Sequence, residues 1–110
     1  MSILNNNIYN LKDKTPEEEL SLAKIQRMLL DSFGLFPTSN YGYANQTKQL
    51  LIDRANNWIK SSALNYWADS AGTEAGYIRK IHQCLTNKHN DGSIDKSLIR
   101  TAIHKLHLKI

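Results

Sequence analysis

From about residue 15 onward, apolar residues recur at spacings of three and four, the period of an α-helix with one buried face. Thr15-Pro16-Glu17-Glu18 reads as a helix start. Thr15 can cap, Pro16 suits the first helical position, and Glu18 completes a capping box. Leu22, Ala23, Ile25, Leu29, Leu30 and Phe33 share a wide arc, so this helix is expected to be central and to end at Gly34. Pro37 interrupts the connector that follows. A second helix is predicted over about 44–61, with Ala44, Leu51, Ala55, Trp58 and Ile59 inward and Ile52 on the margin. Ser61-Ser62 makes a break plausible before a short helical segment over about 62–69, and Ser70-Ala71-Gly72 reads as a turn. Thr73 is expected to cap a helix over about 74–86, with Tyr77, Ile78, Ile81, Cys84 and Leu85 on its apolar face. A polar turn over residues 87–92 then leads to Ser93, the expected cap of a last helix over about 94–108. Its inward arc is Ile94, Leu98, Ile99, Ala102, Ile103 and Leu106.

No segment of useful length has a strand period, and no internal repeat appears. Residues 1–14 are rich in Asn and lack a sustained period, so they are expected to form a mobile or loosely docked arm, with Ile3, Leu4, Ile8 and Leu11 available to pin it. The expected fold is all-α: a compact single domain of four or five short helices over residues 15–110, with a mobile N-terminal arm. With 110 residues, 41% of them hydrophobic, one modest core needs no disulfide or metal. A single cysteine, Cys84, excludes an intrachain disulfide and points to a reducing, cytoplasmic setting, with the thiol expected on a buried apolar face. No apolar run approaches the ~20 residues of a membrane span, so no membrane association is expected. The opening residues have no basic stretch leading into an apolar block, so no signal peptide is expected.

Charge is distributed unevenly. The net charge is +4, yet residues 1–55 hold six basic and six acidic side chains, whereas residues 56–110 hold eight basic and four acidic. All four histidines also fall in the second half. On the last helix Lys96, Arg100 and His104 are spaced by four and align in a row, with His107 on the same side. Arg79, Lys80 and Lys88 belong to the preceding helix and turn. If the last two helices form a hairpin, these groups meet on one surface able to neutralise phosphates. Gln83, Asn87 and Asn90 would add hydrogen bonds to phosphate, sugar or base edges. A plain solvated helix face accounts for the same residues. No known nucleic-acid motif is present, and the connection between the two helices is longer than a helix-turn-helix turn.

Other constellations are better explained by structure. The segment Asn87–Leu98 resembles a degenerate EF-hand loop, with Gly92 at the sharp turn, Ile94 after it and Asp91 and Asp95 at ligand positions. Asn87, His89 and Leu98 depart from that pattern, and a glycine turn with a Ser93 cap explains the residues. His104-x-x-His107 is a possible metal pair, but a zinc site needs three or four ligands, and His82, His89 and Cys84 are the only obvious additions. Ser93-x-x-Lys96 matches an acyl-enzyme spacing without its companion motifs. No catalytic residue, metal or other cofactor is therefore expected. Tyr66 and Trp67 are candidate aromatic contacts, and Tyr41 and Tyr43 precede a helix, although junction filling is the commoner use of such side chains. Two functions remain in view. One is a small basic non-catalytic accessory protein on DNA or RNA. The other is a protein-interaction module, such as an inhibitor, immunity protein or assembly subunit, docking on an acidic protein. The oligomeric state is left open.

Overall fold

A computed structural model describes residues 15–37 and 44–106. The arm at 1–14, Tyr41, Tyr43 and His107 lie outside the described residues. The fold is all-α, with five helices: α1 Pro16–Ser32, α2 Asn45–Lys60, α3 Ser62–Ala71, α4 Ala75–Asn90 and α5 Lys96–His104. The start of α1 follows the sequence expectation. Thr15 Oγ1 accepts from the Glu18 amide at 3.1 Å, and Glu18 Oε1 accepts from the Thr15 amide at 2.9 Å. Glu17, Glu18 and Glu19 complement the positive end of the helix dipole. Gly34 adopts φ 76 and turns the chain out of the helix, a backbone conformation costly for a residue with a Cβ.

The core lies along α1. Ile25, Leu29 and Leu30 are buried there, joined by Ile59 from α2, Leu64 and Ala68 from α3, Ile78 from α4, and Ile99 and Ile103 from α5. α2, α3 and α5 all dock on α1, while α4 docks on α3. The connector contributes too, since Leu35 and Phe36 are buried. Between α2 and α3, Ser61 is extended and caps both ends: its hydroxyl donates to the Trp58 carbonyl at 2.7 Å and accepts from the Ala63 amide at 3.2 Å. The break at Ser61 lets Ile59 and Leu64 both turn inward.

Several local expectations are corrected. Thr73 does not cap α4. Its amide donates to the Ala68 carbonyl, closing the Gly72 turn, and Glu74 occupies the cap position without a side-chain bond. The polar stretch 87–90 is the last turn of α4 rather than a loop, supported by Gln83 Nε2 donating to Asn87 Oδ1 at 2.9 Å. That helical turn also removes the EF-hand likeness. Ser93 donates to Asp91, and Asp95 caps α5 by accepting from the Leu98 amide at 2.9 Å. α5 ends at His104 and meets the core along a narrow stripe, which leaves Leu98 and Ala102 exposed. Ala23 and Ala44 are exposed as well, and Trp58 is half-buried at the core margin. Cys84 is exposed, because α4 buries only the stripe around Ile78 and Leu85. The last two helices are not each other's principal neighbours. No described helix is long and apolar enough to cross a membrane.

Because Leu29 has no exposed surface and sits in the core in the last turn of α1, Leu29→Ala is expected to lower the unfolding free energy by about 2–5 kcal/mol in urea titrations. Leu20→Ala, on the exposed side of the same helix, should change it by less than about 0.5 kcal/mol.

Candidate functional site

The cationic side chains of the second half divide by what they touch. Arg79 belongs to the fold. Its Nε donates to the Ile59 carbonyl at 3.0 Å, and Nη2 donates to the Ser61 carbonyl at 3.0 Å and to Asn65 Oδ1 at 3.3 Å. A planar fork from α4 thus satisfies the Ile59 carbonyl, left free at the end of α2, and adds a second donor to the Ser61 carbonyl, which also accepts from the Leu64 amide. Lys80 and Lys88 are exposed one helical turn on either side of Cys84, forming a row on the outer face of α4. Gln83 is exposed beside that row. On α5, Lys96 and His104 are exposed and Arg100 is half-buried. Among the described residues the single ion pair is Arg27–Asp31 at 3.0 Å, within α1. Lys80, Lys88, Lys96 and Arg100 therefore make no ion pair there.

Lys96 stands at the meeting of α1, α2, α4 and α5. A methyl group placed on Gly34 would lie 3.9 Å from Lys96 Nζ and 3.4 Å from Ile52 Cδ1. Here a cleft of about 260 Å³ is lined by Ser32, Phe33, Ile52, Asn56, Thr86, His89, Asn90 and Lys96. Sequence reading missed it, because its lining comes from four helices and no local spacing marks it. The Phe33 ring lies between two imidazoles, 5.5 Å from His82 and 6.3 Å from His89. A larger hollow of about 330 Å³ beside Gly72, Thr73, Glu74 and Tyr77 carries a carboxylate and no cation among the described residues.

The aromatic candidates differ from each other. Trp67 packs against the core edge, while Tyr66 is 68% exposed and meets Trp67 edge-on at 5.6 Å. Lys24 Nζ lies 5.8 Å from the Trp58 ring and 5.9 Å from the Trp67 ring, so one ammonium on α1 ties the two indoles together. No group of three His, Cys, Asp or Glu side chains among the described residues is placed to hold a metal ion. Comparison of the chain with family models, curated proteins and solved structures finds no match.

Burial, and then the positive charge of Lys60, hold the His82 imidazole below its usual range. Hydrogen bonds from Ser93, side chain first, hold the exposed Asp91 carboxyl below its ordinary value of 3.8. For Asp31, burial outweighs the lowering by Arg27 and Lys24, and its carboxyl is raised. The unfolded chain binds a proton at His82 more readily than the folded one does. Stability contributed by neutral His82 is therefore present above the unfolded value of about 6.5 and is lost as pH falls from there through the lower folded value. Denaturant midpoints measured from pH 8 to pH 5 should fall with pH in the native chain, and His82→Gln should flatten that dependence. Arg79→Ala should cost about 1–3 kcal/mol of stability, because it strands the Ile59 carbonyl and leaves the Ser61 carbonyl with the Leu64 amide alone. Arg79→Lys should restore only part, since a single ammonium cannot reproduce the fork.

Proposed function

We propose that this chain is a small, basic, non-catalytic accessory protein that associates with nucleic acid through the polar faces of α4 and α5. The observation that carries the proposal is the absence of ion pairing at Lys80, Lys88, Lys96 and Arg100 among the described residues, while the single described ion pair lies in the charge-balanced first half. Unpaired cations on exposed helical turns attract a polyanion without first breaking internal bonds. Gln83, Asn87 and Asn90 supply neutral hydrogen-bonding groups beside them, suited to binding phosphate or sugar. His104 adds an exposed imidazole to the same helix. Arg79 acts only through the fold in this proposal, because its donors are engaged.

The test is a titration of labelled single- and double-stranded DNA and RNA at two salt concentrations. Binding should weaken with salt. The doubly reversed variant K88E/R100E should weaken it by about tenfold or more and reduce the salt slope by about 0.9 for each duplex phosphate that is no longer neutralised. Unchanged affinity in that variant would overturn the assignment of these faces. A second reading, docking on an acidic protein, is favoured by Tyr66, whose large exposed ring beside Trp67 has the character of an interface anchor. Capture of one stoichiometric acidic protein, abolished by Tyr66→Ala with nucleic-acid affinity absent throughout, would establish it instead.

A further inference from the structure

The cleft at Lys96 presents a chemistry of its own. Phe33 and Ile52 supply apolar wall, and no carboxylate lines it among the described residues. Its polar groups fall into two sets. Asn56 is engaged, since Nδ2 donates to the Ser32 carbonyl at 3.3 Å and to the Ile52 carbonyl at 3.0 Å. Thr86 Oγ1 donates to the His82 carbonyl at 2.7 Å, and Ser32 Oγ donates to the Leu29 carbonyl. Lys96, His89 and Asn90, in contrast, make no side-chain hydrogen bond or ion pair among the described residues.

Two helices end beside this cleft, and the negative ends of their dipoles would ordinarily oppose an anion. Here most of the terminal carbonyls already accept hydrogen bonds. At the end of α1, Leu30 accepts from the Phe33 and Leu35 amides, Asp31 from the Gly34 amide, and Ser32 from Asn56. At the end of α4, Asn87, Lys88 and His89 accept from the Asp91, Ser93 and Gly92 amides. The groups still available are thus an ammonium, an imidazole and a carboxamide, all able to donate, beside an apolar wall.

We propose that this cleft binds a small phosphate monoester, its phosphate held by Lys96, His89 and Asn90 and its organic group lying against Ile52 and Phe33. The volume of about 260 Å³ is below the ~300–1,000 Å³ of sites for drug-sized ligands, which fits one phosphate with a sugar-sized group and excludes a dinucleotide. The site goes beyond the proposed function: its ligand is small and free, and the Lys80–Lys88 row takes no part.

Ribose 5-phosphate titrated into the full chain, followed by amide NMR shifts, provides the test. Saturable shifts centred on Phe33, Ile52, His89, Asn90 and Lys96 are expected, with a dissociation constant of about 1 mM or tighter. Lys96→Met and the double variant H89A/N90A should each weaken binding by about tenfold or more, and K80E/K88E by less than about twofold. Inorganic phosphate should bind about tenfold more weakly because it leaves the apolar wall uncovered, and ribose alone should not bind. Non-saturable shifts, equal affinity for inorganic phosphate, or indifference to both cleft variants would overturn the proposal. A 5′-phosphorylated oligonucleotide that matches ribose 5-phosphate in affinity and is equally sensitive to the cleft variants would overturn the assignment to a free monoester. The surface variant K80E/K88E separates the two proposals, since it should impair polynucleotide binding and leave ribose 5-phosphate bound. All variants are exposed or half-buried positions, and circular dichroism verifies that each retains its helices.

Discussion

Ile25, Leu29 and Leu30 of α1 are withdrawn from water together, and three other helices complete their own apolar stripes against them. α3 and α5 contain 10 and 9 residues, lengths at which an isolated helix is marginal in water even with favourable residues. Their persistence depends on burying Leu64 and Ala68 in one case, and Ile99 and Ile103 in the other, in the shared core. Each fully buried Leu or Ile contributes roughly 1.5–3 kcal/mol of transfer free energy. That scale exceeds what capping and dipole effects supply singly, so the caps set boundaries while the α1 stripe holds the helices in place.

Packing helices around one axis leaves their ends to be finished, and polar side chains from other helices do much of this. Gln26 on α1 donates to the Ile103 carbonyl at 3.2 Å and the Leu106 carbonyl at 3.3 Å, at the end of α5. Asn56 on α2 covers Ser32 at the end of α1, and Arg79 on α4 covers the end of α2. Ser21 and Ser70 join α1 to α3 by a hydroxyl pair at 2.9 Å. The bonds to helix ends satisfy carbonyls that helix geometry leaves without partners. They also explain why a basic side chain such as Arg79 belongs to the scaffold, whereas Lys80, its sequence neighbour, faces solvent.

That distinction shapes the electrostatics. The first half balances its charges and contains the Arg27–Asp31 pair, while the cations of α4 and α5 make no ion pair among the described residues. The same convergence of helix ends produces the cleft beneath Lys96, where used carbonyls and unused donors lie side by side. Surface rows and cleft are separate consequences of one arrangement: helices of unequal length meeting at their ends around α1.

Much of the fold was legible locally. The Thr15–Glu18 capping box, the left-handed turn at Gly34, the break at Ser61 and the central place of α1 all follow from residue types at short spacing, because a cap or an apolar stripe is decided within a turn or two of helix. Competition between nearby groups was not legible. Thr73 and Ser93 each had the chemistry of a cap, but the Thr73 amide closes the Gly72 turn and the Ser93 hydroxyl donates to Asp91, and the cap positions pass to Glu74 and Asp95. Of the candidate site, the charge rows could be read from periodicity along single helices. The engagement of Arg79, the exposure of Cys84 and Leu98, and the cleft at Lys96 could not. Each depends on which neighbour covers a given face, and residues distant in the chain determine that only once their apolar stripes have packed.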